Sequence, residues 1–317
     1  MKRVLVTGGA GFLGSRVTSL LTDQPGVEIV LSGDVRESEV PGVVSLDVDV
    51  TDPIGLPELL IRHRVDTVVH LAAIVNPGRD VQTEFRVDVQ GSANVLAACV
   101  EAGVRRLVVS SSGAAYGYHA DNPAWIDEDL PLRGNDEFPY SRHKRLVEEL
   151  LAAARGTHPG LEQVIFRIGT ILGPTVRNQI TALWDAKRIL HIAGSDSPFV
   201  FVWVDDVAAA MVRAALGEGP AGIYNIAGDG ALSVPEIARR LRKPLLTVPA
   251  PLLAVGLWLG HALRLTEHGP EKIRFLRWRP VLRNDRLKSE FGYTPRLTSA
   301  QAFEEYLRTH PGVVANR

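Results

Sequence analysis

A tyrosine and a lysine four residues apart are the first pair in this sequence whose spacing suggests chemistry. Tyr140 and Lys144 lie in segment 140–154, which is predicted to be helical, so the phenol and the ammonium share one helix face. An ordinary tyrosine has a pKa of about 10, too high for a base at neutral pH. A nearby lysine favours the phenolate, which would let Tyr140 exchange a proton with a carbinol or carbonyl oxygen.

Three consecutive serines, Ser110 to Ser112, end an apolar run that predicts a strand over 106–112. The carboxyl ends of parallel strands form the ligand crevice of an open sheet, so these hydroxyls are expected near the Tyr140 phenol. A serine hydroxyl there would hydrogen-bond the same substrate oxygen. A tyrosine–lysine pair alone is usually an exposed surface pair, and its agreement with the other motifs is what favours catalysis.

A glycine-rich turn near the start of the chain has the pattern of a phosphate cradle. Residues 7–14 (TGGAGFLG) follow a strand-like run and open into a helix-like segment, 15–21. Glycines there permit a tight turn and a close approach to a pyrophosphate, which the helix N-terminus then meets. Asp34 ends the next apolar run 20 residues after Gly14, the spacing expected of an acid that binds a dinucleotide ribose.

Strand-like and helix-like segments alternate through residue 168. The predicted strands are near-continuous Val, Ile and Leu runs, which are typical of a parallel sheet covered on both faces. Strands are predicted at 4–6, 27–31, 43–50, 65–73, 106–112 and 163–168, and helices at 15–21, 53–64, 85–102 and 140–154. We therefore expect an α/β fold, a doubly wound parallel sheet of the Rossmann type with a smaller, discontinuous C-terminal substrate lobe. The expected dinucleotide-binding domain is 1–167, with 200–243 returning to it, and the expected substrate lobe is 168–199 and 244–317.

Composition narrows the class of protein. A net charge of -1 and 6% aromatic residues give no electrostatic footprint for nucleic acid. The expected partner is a small-molecule substrate, with no nucleic acid and no membrane. One cysteine, Cys99, excludes a disulfide framework and indicates a reducing compartment. The apolar segment 249–263 is too short to predict a membrane span, and no cleavable signal is predicted, so the expected location is cytoplasmic. The histidines show no metal-ligand spacing, and no metal site is expected.

Taken together, the motifs occur in the order found in a known superfamily. The chain resembles the extended short-chain dehydrogenase/reductase superfamily, the group of NAD-dependent epimerases and dehydratases that includes UDP-galactose 4-epimerase. The resemblance covers nearly the whole chain and is carried by 7–14, Asp49-Val50, 70–73, 110–117, Tyr140 and Lys144, 201–208, 224–226 and 291–295. It implies that Ser112, Tyr140 and Lys144 are catalytic: Tyr140 takes the hydroxyl proton, Ser112 orients the oxygen and Lys144 holds the nicotinamide ribose.

The resemblance also implies a nicotinamide cofactor and a homodimer. NAD is expected because the Asp34 carboxylate repels a 2′-phosphate, and Arg36 leaves NADP open as an alternative. The dimer would form through helices 85–102 and 140–154. The implied cofactor-binding residues are Gly8, Gly11, Phe12, Leu13, Gly14, Asp34, Asp49, Val50, Leu71, Ala72, Ala73, Ser110, Tyr140 and Lys144.

Departures from the family pattern leave two reactions open. Gly113 and Ala114 stand where sugar 4,6-dehydratases carry an Asp-Glu pair, which argues against dehydration. Thr170 stands where epimerases usually carry an Asn, and Asp88 replaces another usual Asn. At Phe199 or a neighbouring position, epimerases usually carry a diphosphate-binding Arg. The first alternative is an NAD(P)-dependent oxidoreductase that acts on a secondary alcohol or ketone. The second is a nucleotide-sugar 4-epimerase with tightly bound NAD.

The predicted substrate lobe contains two features that favour opposite substrates. The first is an apolar set that predicts a pocket for an apolar or ring-shaped alcohol or ketone: 252–259, Trp184, Phe199, Phe201 and Trp203. The second is a basic set that would suit a diphosphate: Lys272, Arg274, Arg277, Arg279, Arg283 and Arg286. The sequence does not choose between them.

Overall fold

The computed structural model describes residues 1–75, 80–262 and 272–315. Its strands are β1 (Lys2–Thr7), β2 (Val27–Asp34), β3 (Val44–Asp47), β4 (Thr67–His70), β5 (Arg106–Ser112), β6 (Glu162–Ile168), β7 (Thr170–Leu172), β8 (Ile189–Ile192), β9 (Phe201–Trp203), β10 (Gly222–Ile226) and β11 (Leu245–Val248). Its helices are α1 (Phe12–Thr22), α2 (Gly55–Arg62), α3 (Val81–Phe85), α4 (Gly91–Glu101), α5 (Pro139–Thr157), α6 (Gln179–Ala182), α7 (Val204–Leu216), α8 (Val234–Leu241), α9 (Ala250–Ala262), α10 (Lys272–Arg277), α11 (Asp285–Ser289) and α12 (Ser299–Thr309). A π-helical turn spans Arg86–Gln90, and 3₁₀ turns span Gly113–Tyr116 and Pro311–Val313.

Within the described residues, seven parallel strands form the central sheet in the order β10-β6-β5-β4-β1-β2-β3. Helices α1 and α7 pack on one face, and α2, α4 and α5 pack on the other. The strand order reverses between β1 and β4, and such a switch point is where open α/β sheets bind ligands. The predicted doubly wound α/β fold is confirmed.

The chain returns to the central sheet after residue 168, because β10 pairs with β6. Two small parallel pairs, β7 with β9 and β8 with β11, lie outside that sheet. Near them Trp184, Phe201 and Phe303 pack in one core cluster, with ring centroids 5.1–5.6 Å apart. Among the described residues, no helix is long and apolar enough to cross a membrane.

Most of the apolar residues predicted to line a substrate pocket lie in the core or on the surface. Trp184 and Phe201 are 1% and 0% exposed, because other aromatic rings surround them in the core. On α9, Leu252 and Trp258 are 65% and 60% exposed, so they lie on the surface. That prediction is wrong for these residues, and only Phe199 of the aromatic set lines the main cavity.

Two elements of the structure differ from the predicted ones, and both differences affect the site. The predicted strand 65–73 ends at His70, since the following residues pass under the glycine-rich turn as a loop. The predicted helix 85–102 is divided into α3, the π turn and α4. The π turn places the buried Asp88 side chain against the start of that loop, where it accepts the Ile74 N–H.

Candidate active site

The turn between β1 and α1 and the first turn of α1 each contain a glycine with no room for a side chain. Gly8 has a φ of +70°, and a Cβ there would lie 2.7 Å from the Ala72 nitrogen. A Cβ on Gly14 would lie 2.1 Å from the Gly8 carbonyl oxygen. Helix α1 has Gly11 as its N-cap, with no side-chain cap and no acid in its first turn. No side chain in the first turn of α1 therefore occupies the N–H groups at the positive end of the helix, which suits the binding of an anion.

Asp34 lies beside this turn, at the end of β2. Its carboxylate accepts the N–H groups of Ala10 and Arg36, each at 3.1 Å. The Arg36 Nε atom lies 3.7 Å from the same carboxylate, and the Arg36 side chain is 66% exposed. A carboxylate fixed next to the glycine turn is suited to accept hydrogen bonds from ribose hydroxyls.

Tyr140 and Lys144 lie near the start of α5, and Ser112 ends β5. The Lys144 Nζ donates a hydrogen bond of 2.8 Å to the Ser110 carbonyl and lies 5.7 Å from the centroid of the Tyr140 ring. The Ser112 Oγ accepts the Ala114 N–H at 3.1 Å. All three predicted catalytic residues line one cavity of about 540 Å³.

Buried polar contacts fix α5 against the strand that carries Ser112. The Ser141 Oγ donates a 2.6 Å hydrogen bond to the Ala114 carbonyl, which ties the start of α5 to the 3₁₀ turn after β5. Further along α5, Glu148 pairs with Arg167 of β6 at 2.7 Å and also contacts the Ser111 hydroxyl. These contacts hold Tyr140 and Lys144 at the carboxyl end of the sheet.

The structure brings most of the predicted site residues to the main cavity. Asp34, Asp49 and Val50 lie outside it: the Asp49 carboxylate accepts the Thr51 N–H at 2.8 Å, and Val50 is buried. Ala72 instead lines a smaller cavity next to Lys144. The predicted residues that line the main cavity are Gly8, Gly11, Phe12, Leu13, Gly14, Leu71, Ala73, Ser110, Ser112, Tyr140 and Lys144.

Three aromatic residues near Tyr140 were not predicted from the sequence. Tyr118 packs edge-on against Phe138 and Phe275, at centroid distances of 5.2 and 5.3 Å, and all three line the main cavity. Tyr140 packs against this cluster. Burial raises the pKa of Tyr118, which keeps its phenol protonated and neutral. The cavity wall beside Tyr140 is therefore largely apolar.

Of the basic set, only Arg279 lines the main cavity among the side chains that the structure describes; that of Lys272 lies outside them. Arg286 pairs with Asp129 at 2.9 Å, and Arg274 pairs with Glu137 at 3.3 Å.

The Arg279 guanidinium lies 3.9 Å above the Phe199 ring centroid, and its Nη2 donates to the Ser197 carbonyl at 2.7 Å. Burial lowers the pKa of Arg279 to about 9, so the group remains a cation at neutral pH. Across the described residues, no three metal-ligating side chains lie close enough to hold a metal ion.

Comparison with known proteins identifies the family. The model of the NAD dependent epimerase/dehydratase family matches residues 4–227, from β1 to the residue after β10. The chain belongs to this family. It is therefore an enzyme, its cofactor is NAD, and the superfamily predicted from the motifs is confirmed.

Several known proteins are similar to this chain. An uncharacterized protein of Mycobacterium tuberculosis is 27% identical over 97% of this chain and 84% of its own length. A UDP-glucose 4-epimerase of Azospirillum brasilense is 39% identical over 54% of this chain and 49% of its own. A 3beta-hydroxysteroid-dehydrogenase/decarboxylase of Arabidopsis thaliana is 28% identical over 73% of this chain and 58% of its own. The solved UDP-glucose 4-epimerase of Thermus thermophilus, in complex with NAD, is 26% identical, with a TM-score of 0.75 over 98% and 99% of the two chains.

Proposed function

We propose that this enzyme interconverts a secondary alcohol and a ketone, with Tyr140 as the residue that moves the proton. The observation that carries the proposal is the meeting of Ser112, Tyr140 and Lys144 in one cavity with the glycine-rich turn. NAD, when bound, supplies the hydride acceptor or donor for this reaction. The absence of room for a Cβ at Gly8 and Gly14 fits a cradle that takes a pyrophosphate against the backbone.

The residues that would hold the cofactor lie along the carboxyl ends of the central strands. The start of α1 would hold the pyrophosphate, and Asp34 would accept the hydroxyls of the adenosine ribose. Asp49 and Val50 would lie at the adenine, and the Leu71–Ala73 loop would pass beneath the dinucleotide. Lys144 would hold the nicotinamide ribose.

The proton chemistry rests on the chain's own side chains. In the oxidation direction, the substrate hydroxyl gives its proton to the Tyr140 phenolate as the carbon gives up its hydride, and reduction is the reverse. The Lys144 ammonium lies 5.7 Å from the centroid of the Tyr140 ring, so it would place a positive charge beside the phenol that moves the proton. The Ser112 hydroxyl would hydrogen-bond the substrate oxygen and fix its distance from Tyr140. The aromatic wall of Tyr118, Phe138 and Phe275 favours a substrate with an apolar body.

A second candidate is a nucleotide-sugar 4-epimerase with tightly bound NAD. Arg279 favours it, because this half-buried cation faces the cavity and forms no ion pair with an acid among the described residues. An unpaired guanidinium in a cavity suits a phosphate oxygen of the substrate. The two candidates differ in outcome, since epimerisation returns the hydride to the substrate within one turnover.

Net NADH formation separates the two candidates. The NAD-loaded enzyme is mixed with a panel of secondary alcohols and, separately, with UDP-glucose. Lasting NADH absorbance with an alcohol supports the first proposal, and inversion of the sugar without lasting NADH supports the second. The absence of both outcomes would contradict both proposals.

Arg279→Gln is expected to weaken binding of UDP roughly 10-fold or more if the epimerase candidate is right, because a charged hydrogen bond is lost. Thermal shift in the presence of UDP measures this, since a ligand that binds the native state raises its apparent stability. Arg274→Gln is the matched control, as Arg274 is exposed and pairs with Glu137. Equal UDP shifts in the two variants would count against a phosphate site at Arg279.

We also propose a homodimer through the α3–α4 region and α5. Apolar side chains remain on the surface of these helices, with Val81 42% and Leu150 37% exposed. Light scattering of the purified protein is expected to give twice the chain mass of 34.5 kDa. Leu150→Glu is expected to shift the protein toward monomer, and a monomeric wild type would remove the proposal.

A further inference from the structure

A second, small cavity beside Lys144 contains side chains that the proposed reaction does not use. It is lined by Lys144 together with His70, Asp88, Ser92 and His143. All four of these additional side chains are buried, with His143 only 1% and Asp88 4% exposed. Titratable groups from β4, the π turn and α5 therefore meet at the lysine that is paired with the catalytic tyrosine.

Asp88 and His143 form a buried carboxylate–imidazole pair. The Asp88 Oδ1 accepts the Ile74 N–H at 2.8 Å, and its Oδ2 lies 2.9 Å from the His143 Nδ1. The imidazole packs edge-on against Phe85, with a centroid distance of 5.6 Å. Its Nε2 is buried and has no hydrogen-bond partner among the described residues. Both oxygens of the carboxylate are thus held in place, one by the backbone and one by His143.

The pKa of His70 responds to the charges of both Lys144 and Asp88, which line the same cavity. The His70 Nδ1 lies 2.7 Å from the Thr7 hydroxyl, and its Nε2 lies 2.9 Å from the Ser92 hydroxyl. Burial lowers the pKa of His70 to about 3; the positive charge of Lys144 adds to this effect and the negative charge of Asp88 opposes it. His70 is therefore neutral at working pH, and the net charge here depends on the other groups.

We propose that Asp88 and His143 are positioning residues for catalysis: the Asp88 carboxylate, held by His143, partly offsets the Lys144 charge and so sets the pH at which Tyr140 works as a base. This inference rests on the proposed role of Tyr140. Removing the carboxylate would leave the Lys144 charge less compensated, which makes the phenolate easier to form. For charges several Å apart inside a protein, the expected shift is about one pH unit toward acid.

The variant Asp88→Asn tests this assignment, because an amide oxygen can still accept the Ile74 N–H. Phenolate formation at Tyr140 is followed by ultraviolet difference absorbance in the full-length, NAD-bound protein without substrate, with Tyr140→Phe as the reference. We expect the midpoint in Asp88→Asn to lie about one pH unit below that of the wild type. His143→Asn keeps an N–H donor at the place of Nδ1, which contacts the carboxylate, and is expected to move the midpoint less than Asp88→Asn does.

Other charged or titratable groups near Tyr140 and Lys144 are unchanged in these variants. They are His70 of β4, Tyr118, Arg177, Arg279 and the buried Glu84 of α3, a helix that packs on α5. Asp88→Ser, whose hydroxyl is also an acceptor, replaces the Asn variant if that one does not fold. If the midpoint is unchanged in the folded Asp88→Asn or Asp88→Ser variant, the inference is overturned. This holds even if Tyr140→Phe abolishes turnover. Full turnover by Tyr140→Phe would instead overturn the proposed function.

Discussion

Tyr140→Phe is expected to lower turnover about 10³-fold while NAD binding stays within about twofold of the wild type. The phenol supplies general acid–base catalysis, which typically contributes about 10²–10⁴-fold. The substitution leaves the ring in place, and the ring is what packs against the aromatic cluster of Tyr118, Phe138 and Phe275. Turnover is measured by nicotinamide absorbance, and NAD affinity by calorimetry.

Tyr116→Phe is the matched control for that variant. Tyr116 is also buried, but its hydroxyl contacts Arg167 and Asn225, and it does not line the main cavity. Its loss is expected to lower stability by about 1–3 kcal/mol, because buried partners lose a hydrogen bond, while turnover of the folded protein is kept. Equal turnover in the Tyr140→Phe variant and the wild type would show that Tyr140 is not the proton-transferring residue.

Gly14→Ala is expected to weaken NAD binding by about 100-fold or more and to lower the stability of the protein. The new Cβ would lie 2.1 Å from the Gly8 carbonyl oxygen and 2.8 Å from the Gly9 Cα. These are backbone atoms of the turn itself, so the turn and the start of α1 must move apart. The cradle for the pyrophosphate is then lost together with the close packing of α1.

Gly156→Ala is the control for a glycine-to-alanine change within a helix. Gly156 lies in α5, and a Cβ there would have no heavy atom within 4 Å. The control is expected to bind NAD normally and to be stabilised by up to about 1 kcal/mol, because alanine favours the helix. Calorimetry and thermal unfolding measure both quantities. NAD affinity in Gly14→Ala equal to that in Gly156→Ala would contradict the cradle.

The sequence predicts the cofactor half well because that half rests on local signals. Runs of Val, Ile and Leu predict the buried parallel strands, and glycine spacing predicts a turn that has no space for a Cβ at Gly8 and Gly14. The spacing of Tyr140 and Lys144 fixes their common helix face, so their meeting in one cavity follows once α5 is docked. The π turn carries no such signal, and so the contact of Asp88 with His143 was not predicted.

The substrate side is harder to predict because its residues are distant in sequence. Phe275 contacts Tyr118 only through tertiary packing. The sequence does not distinguish an aromatic residue in the core, such as Trp184, from one that lines a pocket. The basic set likewise looks uniform in the sequence. Only packing shows that Arg286 is paired on the surface while Arg279 faces the cavity.

The most direct test of the account is a single-turnover measurement of nicotinamide absorbance. NAD-loaded wild type is mixed with each member of a panel of secondary alcohols, and the Tyr140→Phe variant is mixed in parallel. The account predicts that at least one alcohol gives lasting NADH absorbance in the wild type, at a rate about 10³-fold lower in the variant. Absence of NADH with every alcohol, or equal rates in the two proteins, would contradict it.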